Sequence, residues 1–204
     1  MIALVDCGVG NVRSVQNALA AVGGVVEIAR HPEDLREADR IVLPGVGAFG
    51  EMMRRLCESG LAEALAEEVL SRGKPFLGIC LGMQVLAERG YEQGEHAGLG
   101  WIRGEVRRIE PAGGLPVPHV GWNEVLPEPG SSILRERADF YFAHSYAFRP
   151  ADPADGTVTC DYGGEIVAAV EHDPIFGVQF HPEKSQRAGL ALLRRFLESV
   201  QRGA

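Results

Sequence analysis

The 204 residues carry 28 acidic and 20 basic side chains, a net charge of −8, and 46% of them are hydrophobic. A chain of this length can bury one sizeable core, so residues 1–204 are expected to form a single domain, and its acidic balance argues against a general nucleic-acid binder. The N-terminus, MIALVDCGVG, lacks the basic stretch of a signal peptide, and no apolar run approaches the ~18 residues of a membrane span.

Residues 2–6 read as a strand. Val12, Val15, Leu19 and Val22 follow at helical spacing on one face. The intervening CGVGN at 7–11, with Glu27 nineteen residues after Gly8, has the outline of a dinucleotide fingerprint. The motif's third glycine would fall at position 13, where Arg13 stands. A large side chain there blocks the close helix packing that the motif requires.

Residues 25–29 and 40–43 are the second and third strands. PGVGAFG follows directly at 44–50. Its closely spaced glycines let a backbone N–H turn toward a ligand, and acyl transfer needs such donors where charge develops on the carbonyl oxygen. The candidates are the peptide linking Val46 to Gly47 and the N–H of Leu81. Taken alone, the segment is an ordinary strand-to-helix turn. Residues 51–57 and 61–70 are helical, and Glu63, Glu67 and Glu68 read as a solvated face.

The most informative stretch is KPFLGICLGM at 74–83. An apolar strand, 75–79, stops at Cys80 between Gly78 and Gly82, and a helical pattern follows. This is the thiol form of a nucleophile elbow, a sharp turn that lifts the reactive atom out of the sheet. Flanking β-carbons would collide with neighbouring backbone, hence the glycines. A helix N-terminus beneath the sulfur is expected to favour the thiolate. Alternating strands and helices imply a parallel sheet covered on both faces.

The pattern changes after about Tyr91. Residues 101–109, 118–126, 139–143, 157–162, 166–171 and 175–180 read as strands with no long helix between them. They are expected to add antiparallel strands and a side layer. A closing helix carries Leu190, Leu193, Leu197 and Val200 on one face. Within GVQFHPEKS at 177–185, an alternating strand ends at His181-Pro182-Glu183. Residues two apart in extended backbone project the same way. A thiolate nucleophile needs an imidazole to exchange protons, and the imidazole needs a carboxylate to orient it. Cys80, His181 and Glu183 thus make a plausible triad. The other cysteines, Cys7, Cys57 and Cys160, read as small packing residues. No cysteine or histidine spacing suggests a metal site, and a reduced, cytoplasmic setting fits best.

The paired signatures GICLGMQ and FHPE resemble the class I, triad-type glutamine amidotransferase family. VDCGVGN, PGVGAFG, PHVGWN at 118–123, FYFAHSY at 140–146 and HPEKS resemble more narrowly the glutaminase subunits of imidazole glycerol phosphate synthases. The likeness runs from about Ile2 to Leu197. Its one departure is Cys7, where tyrosine is usual. The resemblance implies a flavodoxin-like three-layer α/β sandwich with a mixed, largely parallel sheet. It implies hydrolysis of glutamine and delivery of the ammonia, without a cofactor, to a (β/α)8-barrel cyclase subunit in histidine biosynthesis. Residue by residue, it implies that Cys80 attacks the carboxamide, His181 relays protons and Glu183 orients it. Gln84 and Glu92, with Glu88 the alternative to Glu92, would hold the amino-acid end of glutamine, beside backbone at Ser145 and Tyr146. Trp122, Asn123 and Lys184 would lie at the cyclase interface. A glutaminase serving pyridoxal phosphate synthesis is the nearest alternative, against which PHVGWN argues. A thiol hydrolase of related fold is another, but such sandwiches often place histidine directly after the nucleophile, where Leu81 stands.

Overall fold

A computed structural model describes residues 1–198; Val200, expected on the last helical face, lies outside them. The first half alternates as expected: β1 (Ile2–Val5), α1 (Val12–Ala21), β2 (Val26–Ala29), β3 (Arg40–Gly45), α2 (Phe49–Glu58), α3 (Leu61–Ala66), β4 (Phe76–Cys80) and α4 (Leu81–Gln84). The second half holds β5 (Arg89–Gly90), β6 (His96–Ala97), β7 (Gly104–Arg108), β8 (His119–Pro127), β9 (Ala138–His144), β10 (Tyr146–Pro150), β11 (Gly156–Asp161), β12 (Glu165–His172), β13 (Ile175–Val178) and the closing helix α5 (Gln186–Glu198).

The central strands are apolar on both faces, which dictates three layers. In β1, Ile2 and Leu4 join one hydrophobic cluster, and Ala3 and Val5 the other. In β3, Val42 faces the first cluster, while Ile41 and Leu43 face the second. Side chains alternate across a sheet, so such strands need cover on both sides. On one face α1 and α5 supply Val15, Leu19, Leu192, Leu193 and Phe196. On the other, α2 and α3 supply Phe49, Met52, Leu56, Leu61 and Leu65.

The main sheet runs β2-β1-β3-β4-β13-β12-β11-β8-β9. Pairing is parallel from β2 to β13 and antiparallel from β13 to β9. The mixed sheet is therefore as expected, with an antiparallel half as wide as the parallel one. The expected side layer is a second sheet, β10-β7-β5-β6. Strand β10 has no separate signal, because the apolar run of β9 continues into it. The break is a bend at Ser145, whose carbonyl accepts from Ile109 N at 2.9 Å.

Two expectations change. Glu68 is not on a solvated face. Helix α3 continues as a π-helical turn, Glu67–Ser71, which buries Glu68 against Lys74 Nζ at 2.7 Å. Lys74 also donates to the carbonyls of Leu35 and Arg36 at 2.9 and 2.7 Å, so this buried ion is fully engaged. The elbow helix α4 is a single turn. The carbonyls of Val85 and Leu86 accept from Leu99 and Trp101 N–H at 2.7 and 3.0 Å, which draws the chain out of helix. No helix among the described residues is long and apolar enough to cross a membrane.

Candidate active site

Three adjacent parallel strands finish on one rim. Gly45 of β3 pairs in register with Cys80 of β4, and Ile79 pairs with Val178 of β13. Clefts outside the carboxyl ends of parallel strands are where open α/β sheets bind ligands. Cys80 stands there with φ 56° and ψ −109°. A side-chain-bearing residue seldom adopts positive φ, and such strain persists only where the surroundings impose it. The two glycines explain how they do. A β-carbon on Gly78 would lie 2.4 Å from the Gly82 carbonyl oxygen, and one on Gly82 would lie 1.9 Å from that of Leu43. The elbow is pressed against β3 with no room for a methyl group.

His181 and Glu183 meet, although not along an extended strand as expected. Pro182–Lys184 is a 3-10 turn, and His181 Nδ1 reaches Glu183 Oε1 at 2.9 Å across it. Ser185 holds the turn: its hydroxyl donates to the His181 carbonyl at 2.6 Å and accepts from Tyr141 N at 3.0 Å. His181 also interacts with the Cys80 sulfur. Burial disfavours charge on the imidazole, but its hydrogen bonds to Cys80 and Glu183 and the charges of both outweigh burial and push it up to about 9. It therefore carries its proton at neutral pH. A one-turn helix has little macrodipole to offer the sulfur. Its polar partners are His181 and the amide of Gln179, whose Nε2 donates at 3.7 Å.

A cavity of about 300 Å³ opens at Cys80, lined also by Val46, Gly47, Leu81, Gln84, Glu92, Ser145 and Tyr146. Every residue expected to form the oxyanion hole or the glutamine pocket thus reaches one space. Glu92 is anchored by Phe49 N, which donates to its Oε2 at 2.9 Å. Glu88 lies elsewhere and accepts from Gly104 N at 3.0 Å. Gln84 is buried, and its amide donates to the Tyr146 carbonyl at 2.8 Å and to Gln179 Oε1 at 2.9 Å. Pro118, Val120, Ala143 and His144 complete the lining. A larger cavity, about 810 Å³ beside Phe148, Thr157 and Ile166, contains none of these residues.

The rim continues onto an exposed patch. Trp122 is 50% and Val120 57% exposed. Trp122 meets Tyr141 edge-on at 6.1 Å, and Lys184 Nζ stands 5.6 Å above the Tyr141 ring. Trp122 and Lys184 therefore share one surface. Asn123 does not join it. One residue along the strand it faces inward, donating to the Asp161 carbonyl at 2.8 Å and lying 3.4 Å from His119 Nε2. His119 Nδ1 meets His144 Nε2 at 3.0 Å. Burial holds both of these histidines down to about 4.

Sequence reasoning missed Gln179, Ser185, Tyr141 and His144. All four stand inside the quoted motifs, so they were in view. What sequence lacked was any sign of which strand faces touch across the sheet.

Residues 3–200 match the model of the family described as "Glutamine amidotransferase class-I". The chain belongs to that family. It is 48% identical over 202 residues to imidazole glycerol phosphate synthase subunit HisH of Zymomonas mobilis, covering 97% of this chain and 95% of that one. It is 49% identical over 208 residues to the subunit HisH of Rhodospirillum rubrum, covering 96% and 97%. Among solved structures, one described as a glutamine amidotransferase superposes with a TM-score of 0.76 at 21% identity, covering 97% of both chains. PurLQS from Thermotoga maritima gives 0.74 at 20% identity, covering 97% of both. These two structures speak for the fold.

Proposed function

We propose that this chain is the glutaminase subunit of an imidazole glycerol phosphate synthase, a single cytoplasmic domain that hydrolyses glutamine and passes ammonia to a (β/α)8-barrel cyclase subunit. The observation that carries the chemistry is the strained Cys80, lining one cavity with the expected oxyanion and substrate residues, with His181 beside it and paired to Glu183. The narrower identity is supported by relatives at 45–49% identity over nearly the whole chain.

The Cys80 thiolate attacks the carboxamide carbon. Charge moves to the carbonyl oxygen, which the N–H of Leu81 and a peptide N–H at Val46 or Gly47 stabilise. As the tetrahedral intermediate collapses, the C–N bond breaks, and His181 gives its proton to the departing nitrogen, which leaves as ammonia. A γ-glutamyl thioester remains. Water attacks it, losing a proton to His181, and glutamate departs as the thiolate reforms. Glu183 keeps the imidazole oriented throughout. Glu92 offers its second carboxylate oxygen to the substrate's ammonium group, and the Trp122, Tyr141 and Lys184 surface receives the cyclase.

The test is glutamate and ammonia production from glutamine, with and without a cyclase subunit and its nucleotide ligand. Cys80→Ala should abolish both products and remain folded. Hydrolysis surviving in Cys80→Ala would overturn the proposal.

A further inference from the structure

One backbone carbonyl sets the direction of the amide hydrogen bonds that run through Gln84 and Gln179 to Cys80. The oxygen of Tyr146 can only accept. Gln84 meets it at 2.8 Å and must present its NH₂ group there. The second hydrogen of that same NH₂ points to Gln179, 2.9 Å away, which must answer with its carbonyl oxygen. With Oε1 committed, the Gln179 amide has only its NH₂ group to offer on its other side. That side faces the Cys80 sulfur at 3.7 Å. Gln179 is fully buried and Gln84 is 4% exposed, so water does not compete for these bonds. Both side chains are neutral, so their orientations hold across the working pH range.

We infer that Gln179 is a further catalytic residue, donating a hydrogen bond to the Cys80 thiolate, and that Gln84 is a positioning residue that holds the Gln179 amide in the donating orientation. The inference rests on Cys80 being the nucleophile. It assigns Gln84 a role that precedes substrate binding, because both of its amide hydrogens are already engaged. The donor suits the chemistry. A thiolate at the end of a one-turn helix lacks the help of a long dipole, and His181 must release its proton during the reaction. Gln179 keeps a partner on the sulfur whatever the state of the imidazole. The titratable groups around the sulfur are His181 directly, Glu183 behind it, and Glu92 and His144 on the cavity wall.

The test separates thiolate stabilisation from substrate binding by omitting glutamine. The full-length chain is alkylated with iodoacetamide, and labelling of the Cys80 peptide is followed by mass spectrometry, since Cys57 is exposed and will also react. Gln179→Met keeps the side-chain length and removes the donor. Near neutral pH its Cys80 should be alkylated roughly tenfold more slowly, the scale of one hydrogen bond to a charged group. At high pH, where any thiol is ionised, the wild-type rate should return. Hydrolysis with the cyclase should show a matching fall in kcat with KM little changed. Gln84→Met should slow alkylation in the same direction. Should Gln179→Met fail to fold, Gln179→Asn, which withdraws the amide by one methylene, is read the same way. Wild-type alkylation of either Gln179 variant at all pH values would overturn the role of Gln179. A Gln84→Met enzyme with normal alkylation and only a raised KM would overturn the positioning role. Neither result touches the Cys80 assignment, which Cys80→Ala decides separately.

Discussion

The turn at Cys80 and the turn at Gly47 lie side by side at the ends of β4 and β3, yet neighbours crowd only the first. Around Cys80, a β-carbon at Gly78 or Gly82 would run into backbone. Around Gly47, with φ +100°, an added β-carbon would meet nothing within 4 Å, and Val46 is 40% exposed. The crowding resumes at the base of that loop, where a β-carbon on Gly45 would lie 2.7 Å from Met52 Sδ. Cys80, the proposed nucleophile, is held by crowded backbone on both flanks, whereas the candidate oxyanion peptide sits on a free tip above a fixed base. A covalent bond needs the attacking atom in one place. A donor that must appear only when the partner is ready is better placed on a segment that can rotate.

The largest expected effect tests this contrast directly. Gly82→Ala should lose hydrolysis and much of the folded protein, because the elbow cannot move without displacing β3. Gly47→Ala should fold, at a cost of about 1–2 kcal/mol for its left-handed backbone. Its rate should fall by up to about 10²–10³, the value of one oxyanion donor. Thermal unfolding and ammonia release measure both, and equal losses in the two variants would erase the contrast.

The triad should be graded. His181→Ala removes the proton carrier and should cost about 10⁴ in rate. Glu183→Gln removes only an orienting and polarising group and should retain roughly a hundredfold more activity than His181→Ala. Wild-type turnover in either variant would refute the triad.

The free tip should respond to the partner. Hydrolysis should be weak in the isolated chain and should rise about 10²–10³-fold when the cyclase and its ligand bind, if one peptide rotation supplies the missing donor. Substituting Trp122 or Lys184 should weaken that stimulation more than basal activity. Full activity from the isolated chain, unchanged by the cyclase, would show that the loop is not a gate.

The pH dependence sharpens the locked side. His181 is raised to about 9, so hydrolysis should fall as pH rises through that value and the proton for the leaving nitrogen is lost. Relative to an unfolded value of 6.5, the same pairing stabilises the fold fully below 6.5 and is lost on approaching 9. Glu183→Gln should move the alkaline limb to lower pH. A profile flat to pH 10 would exclude His181 as the acid.

The effect farthest from the chemistry belongs to the neutral pair His119 and His144 and concerns stability alone. Each is held down to about 4 against 6.5 when unfolded, so the unfolded chain binds more protons between these values. Stability should fall as pH drops from 6.5 to 4, by at most about 1.4 kcal/mol per pH unit for each histidine. Urea unfolding against pH reads this slope, and His119→Gln should flatten it.

The chain's own pattern determined much of this. Apolar strands alternating with amphipathic helices forced a covered parallel sheet, because such strands have no polar face to show to water. Gly-x-Cys-x-Gly marked the elbow that carries the proposed nucleophile, because only glycine tolerates the closeness of that turn. His181 and Glu183 were legible as partners because they are two residues apart, although the geometry that joins them is a turn. Tertiary structure decided the rest. The length of α4 depended on carbonyls claimed by residues near 100. The burial of Glu68 depended on Lys74 reaching back to it. The placement of Glu92 rather than Glu88 on the cavity wall, the inward turn of Asn123 and the chain from Tyr146 through Gln84 and Gln179 to the sulfur all depended on which strand ends meet. Contacts between residues 84, 146 and 179 leave no local period in the sequence, because they arise from sheet register, and register exists only once the strands have paired.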